Sequence, residues 1–294
     1  TAVADAIRTK CAGKSGQVEE ESKPSSQLSP LLFDLTSLQR EANGRFGFSA
    51  RTTLQIAQAL YEKHKVLTYP RTDARALPED YVATVPGILG ALPEAYAGFA
   101  AQILKHGWVK PNKRIFNNAK ISDHFAIVPT GTAPKNLTEA EYKIYDLVTK
   151  RFLAVFFPAA EYQLTTRITR VEKEAFKTEG KVLVNPGWLA IYGKEAAVEG
   201  EEATGSLVPV QKGEGASTED VLVKACQTKP PARFNEATLL SAMEGAGKLV
   251  DDEELRAAMA GRGLGTPATR AQIIENLIAE TYMLREGREL IPTA

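Results

Sequence analysis

Apolar residues recur at helical spacing through much of the first half of the chain. Leu54, Ala57 and Tyr61 fall on one side of a predicted helix that begins after Ser49 and runs through Glu62. Serine is a preferred N-cap because its hydroxyl accepts a hydrogen bond from an unpaired backbone N–H of the first turn. The pattern therefore predicts a helix whose apolar side includes Tyr61.

Capping boxes predict the starts of two further helices. Thr36 and Gln39 have the spacing of one such box, and Thr138 and Glu141 have the spacing of the other. The second helix is predicted to extend to about Phe156, with an apolar stripe. That stripe consists of Tyr142, Tyr145, Leu147, Val148, Phe152 and Val155. Prolines and glycines divide the intervening sequence into shorter helices, so residues 30–157 are predicted to be mostly helical.

Beyond residue 158 the pattern changes to short β-prone runs that glycine-rich turns separate. No helix of crossover length lies between these runs, so we expect an antiparallel sheet of about five strands. The predicted strands are Tyr162–Val171, Lys181–Val184, Leu189–Tyr192, Leu207–Val210 and Asp220–Ala225. Cys11–Pro30 is predicted to be a linker or hairpin tip with little core, and Glu195–Glu202 a solvated loop.

The pattern becomes helical again after the Pro-Pro pair at 230–231. Asn235 is the predicted cap of one helix, Asp251 opens a second, and Thr266 opens a third with Pro267 at its first position. The last residues form a short apolar, strand-like tail. The chain as a whole is therefore predicted to have a multi-domain α+β fold.

The amino-acid composition excludes several classes of function. The chain has 294 residues, no net charge, two cysteines and three histidines. A globally basic nucleic-acid protein is excluded, and the cysteines and histidines give no zinc-ligand spacing. The sequence predicts neither a membrane span nor a secretory signal, and it favours a reducing cytoplasm. Because the chain begins at Thr1 rather than methionine, we expect it to be a fragment.

Positive charge is nevertheless concentrated between residues 105 and 120, where no acidic residue occurs. Trp108 and Phe116 lie among the basic residues, which are Lys105, Lys110, Lys113, Arg114 and Lys120. Basic groups follow phosphates and aromatic faces stack on bases, so this stretch is a candidate contact for single-stranded nucleic acid. A solvated loop whose aromatic side chains pack inward explains the same pattern.

The most distinctive chemical pattern lies between residues 66 and 73. Pro70 biases Tyr69 toward an extended backbone, in which Tyr69, Arg71 and Asp73 point to the same side. A phenol beside a fixed cation suits attack on a phosphodiester, because the cation stabilises the charge that develops at phosphorus. An ordinary strand end with one exposed tyrosine is the alternative.

Two further stretches carry candidate functional residues. His124 precedes an apolar run, and its ring can hydrogen-bond a phosphate or relay a proton; a merely structural role is the alternative. Residues 261–270 form a glycine-rich loop that enters a helix, where unpaired N–H groups attract phosphate. Thr266, Thr269 and Arg270 add donors there. A well-capped helix without further function is the alternative.

No pair of carboxylates suggests a metal site. Asp251–Glu254 is a run of acids at a predicted helix start, where it suits the helix dipole. Side chains in such a run spread around the helix rather than converge on an ion. We therefore expect that this chain binds no metal.

Five motifs in order resemble those of type IA DNA topoisomerases, and the Tyr-Pro-Arg sequence resembles the topoisomerase III branch. The motifs occupy residues 37–49, 65–73, 123–130, 230–239 and 263–271. Together they span nearly the whole chain. The resemblance implies an enzyme that cuts one DNA strand with a tyrosine, stays linked to the 5′ phosphate, and lets another strand pass before resealing.

The resemblance also implies roles for individual residues. Tyr69 is the nucleophile, Arg71 positions the scissile phosphate, and His124 assists by contacting that phosphate. Four further residues are implied to contact single-stranded DNA: Tyr61, Thr266, Thr269 and Arg270.

The implied fold is a helical, tyrosine-bearing domain, residues 30–158, inserted in an antiparallel β arch domain. The arch consists of residues 1–29 and 159–229, and residues 230–294 form part of a helical DNA-binding domain. Nothing in the sequence matches the Toprim domain, which carries the family's Mg²⁺ ligands.

The expected partners are therefore single-stranded DNA and the missing Toprim domain of the same polypeptide. The fragment is expected to bind DNA without cleaving it, in the bacterial cytoplasm. A stand-alone, non-catalytic module that binds nucleic acid or a partner is the alternative.

Overall fold

The computed structural model describes residues 2–193, 207–208, 210–211, 213–259 and 263–293. Contacts within the chain divide it into two compact units. The sheet unit comprises Thr1–Ser29 and Pro158–Pro230, and the helical unit comprises Pro30–Phe157 and Pro231–Ala294. The predicted combination of helices with an antiparallel sheet is confirmed.

The sheet unit begins with helix α1, Ala2–Cys11. Its strands are β1, Ser15–Gln27; β2, Ala160–Val171; β3, Glu174–Asn185; and β4, Gly215–Ser217. They form one sheet of order β3-β2-β1-β4, in which every neighbouring pair is antiparallel. The strands predicted at residues 162–171 and 181–184 are confirmed as parts of β2 and β3.

Strand β1 contradicts the predicted linker at Cys11–Pro30. The sequence of β1 is polar because most of the strand is exposed on both faces, so it lacks an alternating apolar signal. Pairing with β2 forms it instead, including a 2.7 Å hydrogen bond between the hydroxyls of Ser22 and Thr165. Pro24 is tolerated because, among the described residues, the backbone partners on that side of β1 lie only opposite Ser15–Val18, so the proline is beyond the paired part of this edge.

The predicted strand Leu189–Tyr192 is wrong. Most of it belongs to a 3₁₀ turn, Gly187–Ile191, in which Trp188 is buried. The Trp188 indole N–H donates to the Gln27 carbonyl at 2.9 Å, so a tertiary contact overrides the local β-propensity.

Two other predicted strands also differ from the structure. Asp220–Ala225 has no strand partner among the described residues, and residues 207, 208 and 210 are not in a strand either. Both segments are short, and a short run forms a strand only where a neighbouring strand is available. The loop predicted at Glu195–Glu202 lies outside the described residues.

The helical unit contains several helices and one hairpin. Its longer helices are α2, Leu35–Phe46; α3, Ala50–Glu62; α4, Val85–Gly90; α5, Glu94–Lys105; α6, Glu139–Ala154; α7, Glu236–Glu244; α8, Glu253–Met259; and α9, Pro267–Ala279. Strands β5, Met283–Glu286, and β6, Glu289–Pro292, pair at its end. Short 3₁₀ turns occur at Glu79–Ala83, Asn118–Lys120 and Ala246–Leu249.

Most of the predicted helix starts are confirmed. Ser49, Thr138 and Asn235 each accept a backbone N–H of the following first turn, at 3.0, 3.2 and 2.8 Å, and Thr266 is the N-cap of α9. The helix expected from Asp251 begins slightly later, at Glu253.

The cap predicted at Thr36 is wrong. Helix α2 is capped two residues earlier by Asp34, whose carboxylate accepts the Ser37 N–H at 2.7 Å. Thr36 is instead fully buried, and its hydroxyl accepts a hydrogen bond from Arg270 at 2.9 Å. A charged side chain from a distant helix, which no local pattern reveals, therefore determines the use of this threonine.

The core of the helical unit is built around α2, α3 and α6. Its largest fully buried side chains include Phe33, Leu38, Leu60, Phe116, Tyr145 and Phe152. Tyr142, predicted to belong to the stripe of α6, is 48% exposed because the buried side of that helix is centred on Ile144, Val148 and Phe152. Across the described residues, no helix combines the length and apolar character needed to cross a membrane.

Replacing Gly187 by alanine is predicted to destabilise the sheet unit strongly. Gly187 has a φ of +48°, and a Cβ there would collide with the Ala159 carbonyl, which belongs to the backbone and cannot rotate away. We expect Gly187→Ala to lower the free energy of unfolding by about 3 kcal/mol or more in urea denaturation.

Gly13→Ala is the matched control for that substitution. Gly13 has a φ of +70° but open space around its Cβ position. Gly13→Ala should lower the free energy of unfolding only by the cost of placing alanine in the left-handed region, about 1–2 kcal/mol. Equal losses in the two variants would contradict the predicted collision.

Candidate active site

The Tyr69 segment is extended, and the burial of its residues alternates. Pro70, Thr72 and Ala74 are buried, whereas Tyr69 and Arg71 are partly exposed. This alternation agrees with a shared side for the odd-numbered residues. The segment joins no regular sheet; it pairs locally with the stretch that follows His124, where the Thr68 N–H donates to the Val128 carbonyl at 3.0 Å.

Two threonine hydroxyls join these two stretches. Thr72 Oγ1 donates to the His124 carbonyl at 2.7 Å and accepts the Ala74 N–H at 3.0 Å. Thr68 Oγ1 likewise donates to the Ala126 carbonyl at 3.0 Å and accepts the Val128 N–H at 2.9 Å. Each hydroxyl thus satisfies a donor and an acceptor that would otherwise be unpaired. Sequence reasoning missed both residues.

These hydrogen bonds bring three aromatic rings together. The Tyr69 and His124 rings have centroids 4.3 Å apart, with their planes inclined by 46°. The Tyr61 ring, on α3, meets the Tyr69 ring edge-on at 5.4 Å. Three residues that were singled out from separate parts of the sequence are therefore in direct contact.

Arg71 extends the site toward a cleft. Its Nη2 lies 3.4 Å from Gln58 Oε1, one turn before Tyr61 on the same helix. Sequence reasoning missed Gln58, although its i,i+3 spacing from Tyr61 was a usable signal. The cleft has a volume of about 160 Å³ and is lined by Arg71, Thr72, Asp73, Ser122, Asp123, His124, Thr266, Pro267 and Ala268.

The charges in the cleft are mixed. Arg71 faces the same space as Asp73 and Asp123, and Asp73 accepts a hydrogen bond from the Ser122 hydroxyl at 3.1 Å. Among the described residues, no three histidine, cysteine or acidic side chains are placed to hold a metal ion.

The glycine-rich loop brings a helix N-terminus to the same cleft. Gly263 and Gly265 have φ angles of +67° and +66°, and a Cβ on Gly263 would collide with the Met243 carbonyl. Thr266, in the cleft, and Thr269 form a reciprocal capping box. Gly261 and Arg262 lie outside the described residues.

Arg270 does not face the cleft. It is 3% exposed, and its guanidinium donates to Thr36 Oγ1 at 2.9 Å and to the Leu264 carbonyl at 3.1 Å. A third nitrogen approaches the Gly265 carbonyl at 3.4 Å. Arg270 thus shapes the glycine-rich loop from behind.

The end of α3 is fixed by a buried hydrogen bond between a histidine and a glutamate. His64 Nε2 lies 3.1 Å from Glu141 Oε1, and both side chains are largely buried. The Thr138 backbone N–H donates to the second oxygen of Glu141 and is the main cause that lowers the pKa of this carboxyl. The pair anchors the turn that leads from α3 into the Tyr69 segment.

The basic stretch at residues 105–120 is divided between two environments. Phe116 is buried in the core, as the loop alternative predicts. Trp108 is half-buried and stacks on the exposed ring of His106, with centroids 4.9 Å apart. Lys113 is paired with Glu79 at 2.6 Å.

A family model described as DNA topoisomerase matches residues 1–294 of the chain. The chain belongs to the DNA topoisomerase family. DNA topoisomerase 3 of Bacillus cereus strain ATCC 14579 is 44% identical over 284 residues, covering 93% of the chain and 38% of the relative. For DNA topoisomerase 3 of Bacillus subtilis strain 168 the identity is 42% over 291 residues, covering 96% and 40%.

The solved structures include a relative in fold. Full-length topoisomerase I from Thermotoga maritima matches the whole chain with a TM-score of 0.68 and 23% identity, and the match covers 45% of that protein. The resemblance to type IA topoisomerases and to the topoisomerase III branch is confirmed. This topoisomerase chain spans about two fifths of the length of the curated relatives it matches.

Replacing Arg270 should destabilise the helical unit. Arg270→Met leaves the buried Thr36 hydroxyl and two loop carbonyls without their donors. We expect the free energy of unfolding to fall by about 2–4 kcal/mol in urea denaturation.

Arg256→Met is the control, because the Arg256 guanidinium also donates to backbone carbonyls but is exposed. It should cost less than about 1 kcal/mol. An Arg270→Met variant as stable as the unaltered chain would contradict a structural role for Arg270.

Proposed function

We propose that this chain is the tyrosine-bearing part of a type IA DNA topoisomerase, in which Tyr69 attacks one DNA strand. The observation that carries the proposal is the contact between Tyr69 and His124 beside a cleft that Arg71 and the N-terminus of α9 also line. This arrangement puts a phenol next to a fixed cation, a histidine ring and a helix N-terminus. Such groups are suited to a phosphodiester.

The proposed step is a transesterification. The phenolic oxygen of Tyr69 forms a bond to phosphorus while the bond from phosphorus to the 3′ oxygen breaks. The phenol loses its proton, and the leaving 3′ oxygen gains one to become a hydroxyl. The product is a tyrosine ester of the 5′ phosphate, which stores the energy of the broken bond, so the free 3′ hydroxyl can reseal the strand by the reverse step.

Arg71 and His124 have separate parts in this step. Arg71, which Gln58 helps to hold, remains positively charged and can contact a non-bridging phosphate oxygen. Negative charge develops on that oxygen in the transition state, so the contact lowers the barrier. His124 has an exposed ring against Tyr69 and can donate a second hydrogen bond to the phosphate.

Thr266, Thr269 and Tyr61 would bind the single strand on either side of the phosphate. The N-terminus of α9 carries partial positive charge and attracts a backbone phosphate. Tyr61 offers an aromatic side chain next to the nucleophile. Arg270 would act on DNA only indirectly, by shaping the loop.

The proposed partners are single-stranded DNA and the Toprim domain of the same polypeptide. Within the described residues, no group of three or more histidine, cysteine or acidic side chains offers a ready-made Mg²⁺ site. We therefore assign the family's Mg²⁺ to the Toprim part and derive no step from it. Residues 1–29 and 159–229 would form the arch, and 230–294 part of a DNA-binding domain.

Cleavage should depend on Tyr69 alone among the tyrosines. When the chain is mixed with a separately supplied Toprim segment, Mg²⁺ and a labelled oligonucleotide, a covalent adduct should be visible on a denaturing gel. Tyr69→Phe should abolish the adduct, because it removes the phenolic oxygen that attacks the phosphate. His124→Asn should slow adduct formation by roughly 10- to 100-fold.

Tyr142→Phe is the matched control, because Tyr142 is an exposed tyrosine on α6 that does not line the cleft. It should leave adduct formation unchanged. An adduct that survives Tyr69→Phe would refute the proposed nucleophile.

A further inference from the structure

Lys65 adopts a backbone conformation that costs stability. Its φ is +57°, in the left-handed region that residues other than glycine rarely occupy. The Val66 N–H closes the end of α3 by donating to the Leu60 carbonyl at 2.9 Å. Glycine is the usual left-handed residue in this helix-ending motif. A glycine at position 65 would therefore relieve the strain.

The local hydrogen bonds do not require a lysine. Thr281 has a comparable left-handed backbone just beyond the end of α9, one residue after the C-cap rather than two, with a φ of +59° and a 2.9 Å hydrogen bond from the Tyr282 N–H to the Leu277 carbonyl. The carbonyl of each left-handed residue also accepts a hydrogen bond from a threonine hydroxyl at 2.6 Å. A left-handed helix end with similar hydrogen bonds thus forms around a side chain without charge.

The side chain of Lys65 lies beside the candidate site. Its ammonium is positioned over the ring of Tyr61, 5.6 Å from the centroid, and Tyr61 in turn contacts Tyr69 at 5.4 Å. Lys65 is exposed, and within the described part of the chain it has no carboxylate partner. Its neighbour His64, in contrast, is paired with Glu141. Lys65 therefore places a positive charge without a carboxylate partner next to the rings of Tyr61 and Tyr69.

We infer that Lys65 binds a backbone phosphate of the single strand close to the phosphate that Tyr69 attacks. This inference rests on the proposed function. The ammonium lies no farther from the centroid of the Tyr69 ring than the sum of these two distances, 5.6 and 5.4 Å, so the phosphate it binds is close to the attacked phosphate. Backbone strain at a functional position persists when the side chain placed there is needed.

Three variants separate the charge from the strain. Lys65→Gln removes the charge and keeps a strained, non-glycine residue at the left-handed position. Lys65→Gly removes both the charge and the strain, and Lys65→Arg keeps both. Binding of the full chain to a fluorescent oligothymidylate is measured by anisotropy over a series of salt concentrations. Thermal unfolding of each variant is measured in parallel.

DNA affinity and thermal stability should respond differently to the three substitutions. Lys65→Gln and Lys65→Gly should each weaken binding about 3- to 10-fold at low salt, and the slope of log affinity against log salt should become shallower by about 0.7. Lys65→Gly should also raise the Tm by about 1–3 °C, whereas Lys65→Gln should leave it unchanged. Lys65→Arg should retain both affinity and slope.

Thr281→Gly is the matched control. It relieves the same left-handed backbone strain beyond another helix end and should raise the Tm without changing affinity. Unchanged affinity and slope in Lys65→Gln would overturn the inference and leave the proposed function intact. Failure of the unaltered chain to bind the oligonucleotide would overturn both.

Discussion

The hydrogen bonds of Thr68 and Thr72 are the constraint on which the site depends. Tyr69 lies between these two residues, and each hydroxyl bridges to the segment that carries His124. A threonine hydroxyl can donate and accept at once, so each residue fixes two backbone groups of otherwise irregular segments. In the described part of the chain these segments share only an isolated bridge and a few backbone hydrogen bonds, to which the two side chains add further links. The distance between the Tyr69 and His124 rings follows from that connection.

Most of the helical unit could be predicted from its sequence because its signals are local. Ser49, Thr138 and Asn235 act within one turn, and the apolar spacing of α3 and α6 reflects a core on one side of each helix. The sheet unit was less predictable. Strand β1 is polar and forms only through its neighbours, and the buried Trp188 forces a turn where β-prone residues occur.

The residues of the candidate site likewise include some that the sequence could identify and some that it could not. Tyr69, Arg71 and His124 could be identified because their residue types suit phosphate chemistry and their motifs resemble a known family. The residues that support them could not be identified, because Thr72 and Gln58 act only through contacts between segments that are distant in the sequence. Arg270 is the opposite case. Its charge predicted a contact with DNA, but it is buried against Thr36 and has a structural role. Only packing distinguishes these cases.

The most direct test of the central claim is to identify the residue that carries the DNA. The covalent adduct would be digested with trypsin, and the peptide that retains the 5′ phosphate would be found by mass spectrometry. Cleavage after Lys63, Lys65 and Arg71 separates the two neighbouring tyrosines, Tyr61 and Tyr69. If Tyr69 is the nucleophile, the nucleotide is attached to the peptide of residues 66–71. Attachment to the peptide of residues 52–63, or to any other peptide, would contradict it.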